Sequence, residues 1–79
     1  MKIQDILTTQ LDTQFGTPVF KGTRVPAAFL FDFLEDGLTI GHFLDEFPSV
    51  QYKQAVGLLE ITGNLLQSPK IFDVYEGVA

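Results

Sequence analysis

No cysteine occurs among the 79 residues, which removes disulfide staples and thiolate metal sites, and with them any argument for an oxidising compartment. Histidine is almost as scarce. His42 stands alone, without a second histidine or a cysteine at ligand spacing, so no metal is expected and His42 reads as an exposed helix residue. Cations are few: five basic residues face ten acidic ones, for a net charge of −5. Lys2, Lys21, Arg24, Lys53 and Lys70 are also scattered along the chain, which weakens the electrostatic case for a nucleic-acid surface. No apolar run approaches the ~18 residues of a membrane span, and "MKIQDILTTQLD" lacks the basic-then-apolar layout of a signal peptide, so a cytoplasmic protein is expected. G-x-S-x-G, P-loop and dinucleotide fingerprints are missing too, and neither enzymatic activity nor a cofactor is expected.

What the chain has in excess is apolar bulk. Apolar residues make up 46% of it and eight residues are phenylalanine, rich for a chain near the lower size limit of an independent domain. Part of that surplus is expected to close a subunit interface. A single domain is expected, with a β segment over 1–25, a helical unit over 26–67 and a tail over 68–79.

The stretch "FGTPVFKGTRVP" carries the strand signal. Gly16 and Gly22 take φ > 0 without steric cost, and "PVF" between them is the β-branched and aromatic mixture that suits a pleated surface. Pro18 fits the first residue of a strand, and Pro26 fits position N1 of a helix. Such a strand needs a neighbour, because a lone hairpin is marginal in water. The N-terminal segment or a symmetry mate would supply it, and with a symmetry mate Val19 and Phe20 are expected at a dimer interface. Residues 1–14, with Ile3, Ile6, Leu7 and Leu11 as isolated apolar positions, fit either a turn or two of helix or extended structure, with a short strand preferred.

Three helices are read from periodicity. Over 26–36, Leu30, Phe33 and Leu34 share a face with Ala27, and Gly37 supplies the left-handed position past the end. Phe29 and Phe31 fall off that face and are further candidates for subunit contacts. Over 39–47, Thr39 is the N-cap and Ile40, Phe43, Leu44 and Phe47 recur at helical spacing, until Pro48 stops the run. The third helix spans about Val50 to Leu66. Gly57 and Gly63 inside it each cost roughly 1 kcal/mol against alanine and need a reason, such as close helix approach or an early end at "GN". Short connections between these helices outline a mainly α, three-helix, helix-turn-helix-like bundle with a short β element in front.

The block "GTPVFKGTRVP" followed by "LFDFLEDGLTIGHFLDEFPSVQYKQAVGLLE" resembles the domain of unknown function family 433, over about Gly16 to Leu66. The resemblance implies a helix-turn-helix-like fold, dimeric, in proteins encoded beside PIN-like ribonucleases and described as antitoxins, with no catalytic residues. Relatives tend to carry Ser-Arg-Glu where this chain has Gln51, Tyr52 and Lys53. One basic residue is lost there, and the N-cap hydroxyl moves to Ser49.

The candidate DNA-binding residues are accordingly Gln51, Tyr52, Lys53 and Gln54 at the start of the third helix, with Arg24 from the hairpin. The plain alternative is a polar helix start, which the net charge favours. For Arg24 the alternative is a guanidinium tied to Asp32, Glu35 or Asp36. Lys21 reads as solvated, and the pairs Glu35-Asp36 and Asp45-Glu46 as a solvated face, since adjacent helical residues do not converge on one substrate. In the tail "KIFDVYEGVA", Ile71, Phe72, Val74 and Tyr75 are too apolar for a free terminus. They either fold back or dock on a partner, and an antitoxin-like role favours docking. The functional expectation is a non-catalytic module that binds and neutralises a PIN-like ribonuclease, with a DNA-binding regulator as the alternative.

Overall fold

A computed structural model describes residues 1–9, 16–69 and 72. Its elements in chain order are α1 (Ile3–Ile6), β1 (Leu7–Thr9), β2 (Pro18–Phe20), α2 (Ala28–Glu35), α3 (Ile40–Glu46) and α4 (Tyr52–Leu66). The N-terminal segment thus satisfies both of its readings, a helical turn followed at once by a strand. Asp5 makes the turn possible by accepting the Lys2 N–H at 3.2 Å. The three helices expected further on are all present.

β1 and β2 form an antiparallel pair in the register Leu7↔Phe20, Thr8↔Val19, Thr9↔Pro18. A second neighbour covers the other edge of β2. Phe20 N–H donates to the Val25 carbonyl and Ala27 N–H to the Pro18 carbonyl, each at 3.0 Å, and these bonds flank a bridge between Val19 and Pro26. Pro26 therefore occupies a position where the ladder asks for no N–H, so its missing donor costs nothing. It bridges to the strand and does not start the helix at N1; α2 begins at Ala28. The two neighbours of β2 also bury Val19 and Phe20 completely within the chain. Their side chains cannot reach a second subunit, which corrects the interface expected there.

α2 ends in a Schellman motif. Leu38 N–H reaches the Phe33 carbonyl at 2.9 Å and Gly37 N–H the Leu34 carbonyl at 3.0 Å, with Gly37 at φ 82°. This arrangement satisfies carbonyls the helix would otherwise leave open, in a conformation glycine adopts cheaply. Thr39 caps α3, its Oγ1 accepting the His42 N–H at 3.1 Å. The core is built from Ile6, Phe20, Ala27, Leu30, Phe43, Val50, Ala55 and Leu58.

Most of the phenylalanine surplus is consumed internally. Phe43 is fully buried and touches Phe20, Phe33 and Phe47, with ring centroids 6.0, 5.3 and 5.1 Å away. Phe29 stacks on Phe47 at 5.9 Å and is 40% exposed. Phe31 is half-buried against the core. Among the described residues no helix is long and apolar enough to cross a membrane.

Candidate functional site: a polar cleft at the start of α4

Two turns meet where α4 begins. The first follows β2, where Gly22 at φ 80° reverses the chain. Thr23 locks that reversal: its Oγ1 donates to the Phe20 carbonyl at 2.7 Å and accepts the Val25 N–H at 3.0 Å. The hydroxyl is buried, so the G-T dipeptide of the "GTR" block is there for backbone geometry. Arg24 follows on the exposed side of the turn.

The second turn joins α3 to α4 through residues 47–51. Val50 is buried and its N–H donates to the Phe47 carbonyl at 3.0 Å. The N-cap of α4 is Gln51, in extended conformation, and not the Ser49 that the sequence suggested. Three residues later, Gln54 reaches back and accepts the Gln51 N–H on Oε1 at 2.9 Å. That leaves its amide nitrogen pointing away from the helix, and Nε2 donates to the Lys21 carbonyl at 3.0 Å.

Gln54 is thereby removed from the candidate DNA readers. The residue is 6% exposed and both ends of its side-chain amide are occupied within the chain. Gln51, Tyr52 and Lys53 remain exposed, with Tyr52 the most open of the aromatic rings in this region at 67%. Arg24 lies on the hairpin, a separate segment from α4.

The cross-link from Gln54 to Lys21 has an electrostatic result that the linear order of the chain conceals. Lys21 and Gly22 from the first turn, Ser49 and Gln51 from the second, and Lys53 from α4 line one cleft of about 430 Å³, with Asp5 of α1 at its wall. The basic residues are therefore not all dispersed, as their positions in the sequence implied. Lys21, read as merely solvated, is part of this cleft. Sequence reasoning had no signal for it, since only the folded hairpin brings Lys21 beside α4. A second cleft, of about 440 Å³ and apolar, lies along β1 between Ile3, Leu7, Thr8 and Pro18.

The remaining candidates are spread elsewhere. His42 is on the outer face of α3, its Nε2 3.9 Å from Glu46 Oε1 and its ring 5.7 Å from Phe33. Glu35, Asp36, Asp45 and Glu46 are exposed. Among the described residues no three His, Asp or Glu groups gather as a metal site. Phe72 is 68% exposed, whereas Ile71, Val74 and Tyr75 lie outside the described residues.

These features define a small helical domain braced by a two-stranded hairpin, with a polar cleft where the hairpin turn meets the last helix. The family model for Protein of unknown function (DUF433) matches residues 7–60, well over half the chain, and the chain belongs to that family. The matched region runs from β1 into α4 and contains the hairpin turn and the Gln54 cross-link. No curated protein and no solved structure matches the chain.

Proposed function

We propose that the chain is a non-catalytic, antitoxin-like interaction module, acting in the cytoplasm as a homodimer, that binds and neutralises a PIN-like ribonuclease through the C-terminal end of α4 and the segment beyond it. The observation that carries this reading is the exposure of apolar side chains there. Leu65, Leu66 and Phe72 are 37%, 66% and 68% exposed, and they lead into "KIFDVYEGVA", where Ile71, Val74 and Tyr75 continue the apolar character. Every buried residue of α4 lies in its first half, so this end of the helix is left over from the core. An amphipathic helix end and a short apolar segment are the elements that groove-binding partners accept.

The test is co-expression of the chain with a PIN-like ribonuclease encoded beside it. The expected result is co-purification and loss of nuclease activity in the complex. Removal of residues 70–79 should abolish capture while moving the thermal midpoint by no more than a few degrees, as for a loss below about 1 kcal/mol. Sedimentation equilibrium of the free protein should give twice the monomer mass.

A second reading rests on α3, the intervening turn and α4, which lie in the order of a helix-turn-helix unit and leave Gln51, Tyr52 and Lys53 exposed at the start of α4. As a DNA-binding regulator the chain would read an operator with that turn. Lys53→Ala should then lower the log–log salt slope of binding by about one.

A further inference from the structure

Lys21 and Lys53 supply two of the five basic residues in a chain of net charge −5, and the fold opens both onto one cleft of about 430 Å³. Their placement is fixed by backbone bonds. The Lys21 N–H donates to the Ile6 carbonyl at 2.7 Å, and its carbonyl accepts from Gln54 Nε2 at 3.0 Å. Gln54 is the residue after Lys53, and its Oε1 is held by the Gln51 N–H. A buried amide strut therefore joins the two lysine-bearing segments and sets the width of the cleft.

The lining chemistry favours an anion. Ser49 and Gln51 add neutral hydrogen-bonding residues to the two lysines, and Met1 and Gln54 complete the lining. Asp5 is the opposing charge, and it is engaged by the Lys2 N–H at the start of α1. Lys21 Nζ makes one long contact, 3.5 Å to the Gln4 carbonyl, which leaves most of its three donors for a ligand.

We propose that this cleft binds a single phosphate group carried by a small molecule, such as a mononucleotide. Two lysines and a serine in one lining supply positive charge and hydrogen-bond donors of the kind a phosphate monoester takes. The volume falls within the range of small-ligand sites, about 300–1,000 Å³. Charge elsewhere argues against a nucleic-acid duplex. Asp32, Glu35, Asp36, Asp45 and Glu46 are all exposed, and a polyanion would bring further phosphates toward an acidic molecule, whereas a lone phosphate engages only the cleft. The site is at the opposite end of α4 from Leu65 and Leu66, and does not depend on the nuclease reading.

The test is a titration of the full-length, ¹⁵N-labelled protein with inorganic phosphate, with adenosine 5′-monophosphate and with a short DNA duplex, at constant ionic strength. Saturable shifts are expected for the amides of Gly22, Ser49 and Lys53 with the first two ligands, at dissociation constants on the order of millimolar or below. Lys21→Gln combined with Lys53→Gln should weaken binding by about tenfold or more, and because both side chains are exposed the rest of the spectrum should keep its dispersion. Lys2→Gln should bind as the parent does. The proposal is overturned if neither phosphate ligand saturates, if the double variant binds unchanged, or if only the duplex shifts these amides.

Discussion

A methyl group added at Gly57 would lie 2.8 Å from Ile6 Cδ1 and 3.3 Å from Met1 Sδ, so the Ile6 side chain of α1 seats against α4 where a β-carbon would have to displace it. Ile6 is fully buried, so displacing its side chain disturbs the core packed around it. Gly63, six residues further along the same helix, has nothing within 4 Å of the equivalent point. The two glycines, alike in sequence, should respond to alanine with opposite signs. Gly57→Ala is expected to destabilise by about 1–3 kcal/mol through overpacking, and Gly63→Ala to stabilise by about 0.5–1 kcal/mol through helix propensity. Urea denaturation of the pair decides it, and shifts in the same direction would mean that α1 does not seat on Gly57.

Removing the Gln54 amide should cost more than an exposed glutamine would. Gln54→Leu keeps the bulk but leaves the Lys21 carbonyl and the Gln51 N–H without their partners, a loss of about 1–3 kcal/mol. Gln51→Ala, at the exposed N-cap, keeps the backbone N–H that Gln54 accepts and is expected to cost less, about 0.5–1 kcal/mol. Hydrogen exchange adds a local check, since the Gln51 amide should lose protection in the leucine variant alone.

Adjacent residues in α3 should differ sharply. Phe43 has no exposure and meets three other rings, so Phe43→Ala should cost about 3–5 kcal/mol. His42, with its side chain 51% exposed, should tolerate alanine within about 0.5 kcal/mol. Similar midpoints for the two variants would require α3 to be rotated from the orientation described.

The Thr39 cap gives a finer test. Its hydroxyl is the partner of the His42 N–H, so Thr39→Ala should lose about 1 kcal/mol, whereas Thr39→Ser, which keeps the acceptor, should stay close to the parent. A serine variant as unstable as the alanine variant would assign the loss to the methyl group instead.

Local signals in the sequence carried the helical part of the fold. Thr39, Pro48 and the spacing of Ile40, Phe43 and Phe47 delimit α3, and Gly37 marks the end of α2, because caps and periodicity act over a few residues. Where two segments compete for a backbone, the local signal failed. Pro26 has the φ of a helix start, yet the open edge of β2 claims the chain there, and Gln51 displaces Ser49 as the cap because Gln54 is placed to accept its N–H. The cleft was least legible. Lys21 and Lys53 acquire a relationship only through Gln54, whose polar side chain in a helix start reads as solvent-facing until the hairpin is laid beside it. Phenylalanine composition likewise pointed to an interface, while tertiary packing consumed Phe20, Phe33 and Phe43 within the chain.

The seat of Ile6 on Gly57 also has a bearing on synthesis. The plug is translated about fifty residues before its socket, so at roughly 5–20 residues per second it waits several seconds on the nascent chain. During that interval Ile6 and Leu7 have β2 to pair with but no α4 to cover them. Substitutions that loosen β1 should therefore lower the yield of soluble protein by more than their effect on equilibrium stability, through chains that associate before they close.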